Sequence, residues 1–350
     1  MNELVEKVAG PTYYWLTVKA VRDETPAAKS FVLVPERREE ALFRYRPGQF
    51  LTFRIPHENG QIMRSYSLSS AACNEPHMTI CVKRVDEGRG SNWLNDHVTA
   101  GTRIEATQPA GRFVLSDGDA PLLLIAGGSG ITPCISLIKQ ALIESDRNVK
   151  LVYANKNEAS VIYRETLDGL ANRFADQFTY QRWHDDARGF LTAEDIGAEA
   201  IGWEAADIYI CGPEPLMDMA ENTLAAQLGQ EKTILTERFV SPDDEAANPA
   251  PVAGFAASPC SFRLTLDGED YEVPYRPEQT LLEAATTAGI DVPSSCTEGH
   301  CGTCMAWLRS GEVSMASTKA LSKRNIERGL VLACQSRPAT DAPIWLDFDF

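Results

Sequence analysis

Two periodicities divide the first part of the chain. Between residues 13 and 115, short stretches such as 50–55 and 78–83 alternate apolar and polar positions, and turn residues separate them. This pattern predicts the antiparallel strands of a β-barrel or sandwich. From residue 120 to residue 239, a buried apolar run, a glycine turn and a helical period recur. Strands that alternate with helices predict a parallel sheet of the nucleotide-binding kind. The strand candidates are 122–126, 150–154 and 207–211, and the helix candidates are 133–144, 163–174 and 215–228.

A third block follows a segment, 241–259, that is rich in Pro, Ala and acidic residues and has no apolar period. That composition predicts a linker. Beyond it, two apolar stretches flank Asp267-Gly268, which predicts a β-hairpin. Residues 280–288 predict a helix that ends at Gly289, and 305–308 a further strand.

The predicted fold is therefore multidomain, β followed by α/β followed by α+β. We expect an antiparallel β-barrel, a parallel-sheet nucleotide-binding domain, and a small domain of the β-grasp type. The predicted bounds are 11–117 for the barrel, 118–240 for the α/β domain, 241–260 for the linker and 261–350 for the last domain.

Composition, charge and the length of the apolar runs argue against several classes of function. The 350 residues carry a net charge of −16, which argues against nucleic acid, because phosphates would be repelled. The longest apolar run, 122–126, is far shorter than the roughly 20 residues of a membrane-spanning helix. Residues 1–10 carry charges where a signal peptide needs an apolar core. We expect a cytoplasmic, monomeric protein that binds neither membrane nor nucleic acid.

Four cysteines form the most specific motif. Cys296, Cys301, Cys304 and Cys334 have the spacing C-x4-C-x2-C-x29-C, which is typical of plant-type [2Fe–2S] ferredoxins. Small residues between the ligands let backbone N–H groups approach the sulfurs. The alternative is a structural zinc site that uses His300, although zinc usually takes two closely spaced pairs. Of the other five cysteines, four are expected to be small buried hydrophobic residues: Cys73, Cys81, Cys134 and Cys260.

Arg64-Ser-Tyr66-Ser67 follows a strand of the barrel block. The tyrosine could stack on a flavin ring, the arginine could neutralise a flavin phosphate, and Ser67 could hydrogen-bond the N5 edge of the ring. The alternative is an ordinary barrel surface.

A glycine turn, 88–94, comes shortly after Lys83-Arg84-Val85 and opens a helix. Gly90, Ser91 and Asn92 could offer N–H groups to a pyrophosphate at the positive end of that helix. The alternative is that Ser91 merely caps the helix.

A second glycine loop, 127–133, directly follows the buried strand 122–126. Its glycines permit close approach to a phosphate, although Pro133 stands where the G-x-G-x-x-G fingerprint has its third glycine. Cys211-Gly212-Pro213 stands at the carboxyl end of another strand, where open α/β sheets bind ligands. The two segments predict the two halves of a nucleotide site.

Together these motifs resemble the ferredoxin-NADP reductase superfamily with a plant-type ferredoxin fused at the C-terminus. The likeness covers nearly the whole chain and includes the order of the motifs, with Glu237-Arg238-Phe239 before the cysteine loop. It implies that Cys211 lies near the reacting carbon of the nicotinamide and that Glu237 lies near the nicotinamide and flavin rings. A surface carboxylate beside Arg238 is the alternative for Glu237.

The implied catalytic residues are Ser67, Cys211 and Glu237. The implied flavin residues are Arg64, Tyr66, Ser67, Lys83, Val85, Gly90 and Ser91, and the implied nicotinamide nucleotide residues are Gly128, Gly130, Thr132, Cys211, Gly212 and Pro213. The C-terminal aromatic residue that often shields the flavin in this superfamily cannot be placed, because the ferredoxin occupies that end.

Within the superfamily, the motifs are most similar to reductase components of bacterial oxygenases, above all that of 3-ketosteroid 9α-hydroxylase, a Rieske-type system. The reductase of phenylacetyl-CoA epoxidase has the same domain order and is the main rival. The extended turn 88–94 favours FAD over FMN. Lys156 and Arg164 are the basic residues that could meet a 2′-phosphate, and they form no cluster, so NADH is favoured over NADPH.

Electron counting gives the expected function. A nicotinamide releases two electrons as a hydride, an iron–sulfur cluster takes one, and a flavin between them can accept two and release them singly. We expect an NADH-dependent reductase that passes electrons through FAD and a [2Fe–2S] cluster to a terminal oxygenase. The alternatives are a di-iron epoxidase, hydroxylase or desaturase as the client, or a non-catalytic redox sensor or zinc-stabilised scaffold.

Overall fold

The computed structural model describes residues 12–58, 60–240 and 261–350. The predicted linker, 241–260, and with it Cys260, lies outside the described residues. In the described part of the chain, the contacts define two units. One comprises residues 13–239, and the other holds the domain that begins at residue 261.

The first unit opens with a six-stranded antiparallel sheet in the order β4-β3-β6-β1-β2-β5. In β1 the buried Leu16 and Val18 alternate with more exposed neighbours, as the apolar period predicts. A bridge between Leu68 and Ile80 joins the end of β4 to β5 and closes the sheet on itself. The elements are β1 (Tyr14–Thr25), β2 (Ala28–Pro35), β3 (Phe50–His57), β4 (Gly60–Ser67), β5 (Met78–Lys83), α1 (Arg89–His97) and β6 (Arg103–Ala106), with a 3-10 helix at Arg37–Phe43.

The second half of this unit is a five-stranded parallel sheet in the order β11-β10-β7-β8-β9. The strand order reverses between β7 and β10, so a crevice forms at their carboxyl ends. The sequence predicts three of the strands but not the edge strands β9 and β11. The elements are β7 (Leu122–Gly127), α2 (Ile131–Glu144), β8 (Val149–Asn155), α3 (Arg164–Arg173), β9 (Phe178–His184), α4 (Asp185–Arg188), α5 (Ala193–Glu199), β10 (Asp207–Cys211), α6 (Glu214–Leu228) and β11 (Ile234–Glu237).

The barrel and the parallel sheet share one hydrophobic core. Ala28, Cys81 and Phe113 from the barrel side pack in the same buried cluster as Leu124 and Tyr209 of the sheet. Phe113 meets Tyr209 edge to face, with ring centroids 5.3 Å apart. Burial of a common apolar surface therefore fixes the two parts against each other.

The second unit contains a five-stranded sheet in the order β13-β12-β18-β14-β16 and a small two-stranded sheet, β15-β17. The predicted hairpin is confirmed, with Asp267 and Gly268 both at positive φ between β12 and β13. The predicted helix is confirmed too, because Thr280 and Glu283 form a capping box and Gly289 follows the C-cap with φ of +80°. The elements are β12 (Ser261–Leu266), β13 (Glu269–Pro274), α7 (Leu281–Thr287), β14 (Met305–Ser310), β15 (Val313–Met315), α8 (Lys323–Glu327), β16 (Leu330–Leu332), β17 (Ser336–Pro338) and β18 (Trp345–Asp347).

The cysteines outside the motif follow their prediction in part. Cys81 and Cys134 are buried, whereas Cys73 is half-exposed and so does not act as a core residue. No helix in the described ranges is both long and apolar enough to cross a bilayer.

Candidate functional site

The strand β4 presents Arg64 and Tyr66 on one face, because residues two apart in a strand point the same way. The Tyr66 ring lies 5.9 Å from that of Phe53 on β3. Burial raises the pKa of the Tyr66 phenol well above its usual value, so the ring stays neutral. A neutral, half-buried aromatic ring beside a guanidinium suits a planar ligand that carries a phosphate.

Helix α1 begins against this strand. Gly90 lies so close that a Cβ there would be 2.8 Å from Cγ of Arg64 and 3.4 Å from the Tyr66 hydroxyl. Glycine is therefore required for the N-terminal turn of a nine-residue helix to reach the strand. The structure brings together the two motifs that the sequence assigns to a flavin, and the positive end of α1 faces the basic Arg64 side chain.

Ser91 does not cap this helix, contrary to the alternative considered from the sequence. The N-cap is Gly88, and the Ser91 hydroxyl instead accepts a hydrogen bond from the Val85 N–H at 3.2 Å. Asn92 Nδ2 donates to the Val85 carbonyl at 3.1 Å. These bonds fasten the segment that contains Val85 to the first turn of α1.

Lys83, at the end of β5, lies beside the second glycine loop. Its Nζ is 3.3 Å from the position that a Cβ on Gly128 would occupy. Burial, and then the nearby charge of Lys156, lower the pKa of Lys83. A partly buried ammonium group with a second, exposed one nearby favours a bound anion.

The second glycine loop packs directly on Cys211-Gly212. A Cβ on Gly130 would be 2.0 Å from the Cys211 carbonyl oxygen, and one on Gly212 would be 3.0 Å from the Gly127 nitrogen. Gly128 has φ of +51°, and its carbonyl accepts a hydrogen bond from the Tyr153 hydroxyl at 2.8 Å. The two predicted halves of the nucleotide site are thus in contact, with no space for a side chain between them.

Two further predicted residues flank this contact. Thr132 is buried, and its hydroxyl donates to the Ser129 carbonyl at 3.0 Å, which closes the first turn of α2. A Cβ on Gly127 would be 2.7 Å from Cδ of Pro213, so Pro213 packs on the start of the loop.

Ser67, Cys211 and Glu237 meet where β4, β10 and β11 end. The Ser67 hydroxyl donates to Glu237 Oε2 at 2.5 Å, and Glu237 pairs with Cys211 in the parallel register of β11 and β10. Burial raises the pKa of Glu237 from 4.5 to about 7, and the hydrogen bond from Ser67 opposes the rise. Burial and the Glu237 charge raise the pKa of the Cys211 thiol well above its usual value. Glu237 is therefore not a surface carboxylate but a half-buried group that titrates near neutral pH.

Acidic groups gather at the carboxyl ends of β8 and β9. The Glu158 carboxylate lies 3.2 Å from the Arg164 guanidinium and 3.4 Å from His184 Nε2. Asp185 directly follows β9, and burial together with the charge of Asp186 raises its pKa. Arg164 is thus already neutralised by a carboxylate.

The cysteine loop is shaped by glycines. Gly299 and Gly302 have φ of +81° and +67°, and a Cβ on Gly299 would be 2.8 Å from Cγ of Gln335. Gln335 Nε2 in turn donates to Cys334 Sγ at 3.4 Å. The distant fourth cysteine is therefore held against the loop that carries the other three.

The four sulfurs interact as two pairs. A hydrogen bond from the Cys301 thiol is the main cause that lowers the pKa of Cys296, and His300 and the backbone N–H groups of Glu298 and His300 add to it. In the second pair, a hydrogen bond from Cys304 is the main cause that lowers the pKa of Cys334. Backbone N–H groups that point at thiolates are what a cysteine-ligated cluster needs.

The pairing of the thiols provides two ligands for each of two metal ions. Throughout the described ranges, no three His, Cys, Asp or Glu side chains are placed to share a single metal ion. His300, the extra ligand of the zinc alternative, is bonded to Glu298 Oε2 at 2.8 Å. Two thiolates for each of two irons is the ligation of a [2Fe–2S] cluster, so the residues present fit that group.

Comparison with protein families agrees with this geometry. Three family models match in succession, described as an oxidoreductase FAD-binding domain (residues 17–115), an oxidoreductase NAD-binding domain (124–222) and a 2Fe-2S iron-sulfur cluster binding domain (264–339). Together they cover both units.

Whole-chain relatives show the same architecture. The chain is 41% identical over 334 residues to the ferredoxin reductase component of 3-ketosteroid-9-alpha-monooxygenase of Mycolicibacterium smegmatis, which covers 93% of this chain and 95% of that protein. It is 30% identical to one of the subunits of the 1,2-phenylacetyl-CoA epoxidase of Escherichia coli K12, over 97% of this chain and 98% of that one. Among solved structures, phthalate dioxygenase reductase superimposes with a TM-score of 0.61 at 26% identity, over 96% of this chain and 98% of that chain.

Proposed function

The chain belongs to the family of ferredoxin reductase components that combine FAD-binding, NAD-binding and [2Fe–2S] domains, and from this premise we propose that it supplies electrons to a Rieske-type oxygenase. It is a flavin- and NAD-binding oxidoreductase. The observation that carries the proposal is the convergence of Ser67, Cys211 and Glu237 in a chain that also holds two thiol pairs. When bound, FAD accepts a hydride from NADH and passes the two electrons on singly to the cluster.

The flavin-holding residues belong to the barrel. Arg64 pairs with a phosphate of FAD, the Tyr66 ring stacks on the flavin, and the N-terminal turn of α1 at Gly90 and Ser91 receives the pyrophosphate. The contact of Gly90 with Arg64 and Tyr66 supports this assignment, because it brings the N–H groups of the helix to the arginine. Val85, tied to Ser91, lines the same turn.

The nicotinamide nucleotide lies across the crevice between β7 and β10. Gly128, Gly130 and Thr132 form one wall, and the other is formed by Cys211, Gly212 and Pro213. Lys83 is assigned here rather than to the flavin phosphates, since its ammonium group is directed toward Gly128. It neutralises the pyrophosphate of the nucleotide together with Lys156.

Ser67 and Glu237 hold a proton where the two rings react. With a pKa of about 7, Glu237 changes between proton acceptor and proton carrier near neutral pH. The Ser67 hydroxyl, on the strand of Tyr66, connects this carboxyl group to the N5 edge of the flavin. Cys211 supplies a neutral, fully buried thiol beside the reacting carbon and excludes water from it.

Phe239 provides the shielding aromatic residue that the sequence could not place. It follows Glu237 by two residues, and its side chain is 44% exposed although it is large and apolar. We assign it to cover the flavin ring when no nicotinamide is bound.

NADH rather than NADPH is the donor. A carboxylate at a strand end binds ribose hydroxyls and repels a 2′-phosphate. Glu158 and Asp185 lie at the carboxyl ends of β8 and β9, and Glu158 neutralises Arg164, one of the two cations available for a phosphate.

The cluster ligands are Cys296 and Cys301 on one iron and Cys304 and Cys334 on the other. Their pairwise interactions support this division. The functional domains are assigned to 11–117, 118–240 and 261–350, joined by 241–260, and the protein is a cytoplasmic monomer that meets its oxygenase as a separate partner.

The steroid 9α-hydroxylase system is the preferred client. The higher identity to its reductase component, against 30% for the phenylacetyl-CoA epoxidase relative, supports it. The test is electron delivery: purified holoprotein with NADH should support substrate oxidation by a 3-ketosteroid 9α-hydroxylase oxygenase at a higher rate than by a phenylacetyl-CoA epoxidase. The reverse order would exclude the steroid client but not the reductase activity. Absence of NADH-dependent ferricyanide reduction by a yellow-brown holoprotein would exclude the reductase activity itself.

A further inference from the structure

A line of polar contacts joins the strand of Ser67 to the nucleotide domain at a second point. Ser69, two residues beyond Ser67, is fully buried, and its hydroxyl accepts a hydrogen bond from the Tyr163 hydroxyl at 2.7 Å. The same phenol lies 3.0 Å from the buried hydroxyl of Ser30 on β2. Tyr163 precedes α3 of the nucleotide domain, so its side chain bridges the two parts of the unit.

Neighbouring contacts surround this bridge. Lys139 on α2 donates to the Ser69 carbonyl at 3.1 Å and forms an ion pair with Glu75 at 2.9 Å. Ser136, one turn earlier on α2, donates to the Ser70 carbonyl at 2.5 Å. Helix α2 and the residue that precedes α3 thus hold the same short segment of the barrel.

The backbone of Tyr163 is held in an unfavourable conformation. Its φ of +60° and ψ of 26° lie in the left-handed region, which a bulky residue rarely adopts. Such a conformation persists only where surrounding contacts determine it. For Tyr163, the contacts of the phenol with Ser69 and Ser30 of the barrel compensate for the backbone strain.

Ser67 is the last residue of β4, and Ser69 follows it after Leu68, whose backbone bridges Ile80. One hydroxyl is bonded to Glu237 at the reaction site and the other to Tyr163. The positions of the two serines are therefore coupled through the backbone of a single intervening residue.

We propose that Tyr163 is a positioning residue for hydride transfer: through Ser69 it sets the distance between the flavin held by the barrel and the nicotinamide held by the parallel sheet. This inference rests on the proposed function. It gives a role to Ser69, for which the sequence motif offered none. Since small misplacements of reacting atoms reduce rates steeply, loss of one hydroxyl should affect the chemical step more than nucleotide binding.

The test is anaerobic stopped-flow reduction of the FAD-loaded protein by NADH. Tyr163→Phe keeps the ring and removes the hydroxyl. We expect it to retain FAD, to change the NADH dissociation constant by less than about twofold, and to slow flavin reduction at saturating NADH by on the order of tenfold. The long-wavelength charge-transfer absorbance of the NADH–flavin complex should weaken in parallel.

A double-mutant cycle separates positioning from general destabilisation. Ser69→Ala should slow reduction as much as Tyr163→Phe, and the double variant no more than either, because both variants remove the Tyr163–Ser69 hydrogen bond. Tyr275→Phe is the matched control, since its buried hydroxyl donates to the Gln279 carbonyl within the second unit instead. It should lower the melting temperature and leave the reduction rate unchanged.

The inference is overturned if Tyr163→Phe reduces its flavin at the wild-type rate while melting earlier, or if the two single effects multiply. Should Tyr163→Phe fail to retain FAD, Ser69→Ala alone decides by the same criteria. A wild-type holoprotein that NADH does not reduce would refute the proposed function instead, so the two failures are distinguishable.

Discussion

The site in residues 13–239 and the cysteine site of the second unit are built in opposite ways. The first takes its residues from strands and loops scattered over the whole unit, and Ser67 and Glu237, which are 170 residues apart, meet through one hydrogen bond. The second takes three of its four sulfurs from a single loop and recruits Cys334, held by Gln335. The geometry of the first, scattered site therefore depends on how the barrel packs against the parallel sheet. The geometry of the second, local site depends on its own cysteine ligands.

Replacing a ligand of the local site should have the largest effect. In Cys301→Ser, one thiol pair loses a sulfur, while nothing in residues 13–239 changes. We expect cytochrome c reduction to fall by at least about 100-fold and NADH-to-ferricyanide activity to remain near the wild-type rate. Steady-state assays with the two acceptors on one preparation measure this. Equal loss of both activities would contradict the independence of the two sites.

A single methyl group should disable the scattered site. Gly130→Ala places a Cβ against the Cys211 carbonyl oxygen, at 2.0 Å, and must push the two halves of the nucleotide site apart. We expect kcat/KM for NADH to fall by roughly 30-fold or more while FAD and the cluster are retained. Gly169→Ala on α3 is the matched control, because a Cβ there meets nothing within 4 Å. It should preserve activity and add about 1 kcal/mol to helix stability. Similar kinetics in the two variants would show that the close approach is unimportant.

The carboxyl group at the junction should make stability depend on pH. The folded protein raises the pKa of Glu237 from 4.5 to about 7, so the fold favours its protonated form. That contribution is fully present below about pH 4.5 and is lost as the pH rises through about 7. Glu237→Gln cannot ionise and should lack this loss, which melting temperatures of both proteins across the range would reveal. If the melting temperatures of the two proteins changed with pH in parallel, Glu237 would have its ordinary pKa in the folded protein. The same variant should slow flavin reduction by on the order of tenfold.

The smallest expected effect is a loss of thermal stability that is confined to the second unit. Thr280→Ala removes the cap that accepts the Glu283 N–H at 3.2 Å at the start of α7. Loss of such a cap costs about 1 kcal/mol. We expect a lower midpoint for loss of cluster absorbance on heating, and unchanged ferricyanide activity. A matching decrease in FAD retention would indicate that the two units unfold together.

The sequence predicted more of the local site than of the scattered one, for a physical reason. Ligand spacing within one loop is a local property, and so are the hairpin at Asp267-Gly268 and the cap at Thr280. The meeting of Ser67 with Glu237 is set by the packing of two domains, and no spacing encodes it. A resemblance to known reductases implied only that both residues lie near the flavin. Lys83 shows the same limit, because its partner, Gly128, is brought near only by the fold.

Three domain classes and their order were predicted correctly, whereas two strands of the parallel sheet were missed. β11 has four residues, too few to display a period, and β9 is an edge strand whose charged and polar residues obscure its alternation. The left-handed conformation of Tyr163 could not be predicted either, because the residues around it form no pattern that indicates a positive φ.

The bridge between Leu68 and Ile80 closes the barrel between the two serines that reach the nucleotide domain. It ties the strand of Tyr66 to β5, which ends at Lys83 beside the nucleotide loop. The contact of β4 with β5 is therefore common to the two proposed nucleotide sites. Mild heating that separates these two strands should release FAD and abolish NADH affinity in the same cooperative step, so that the apoprotein is not a competent receptor for the donor alone.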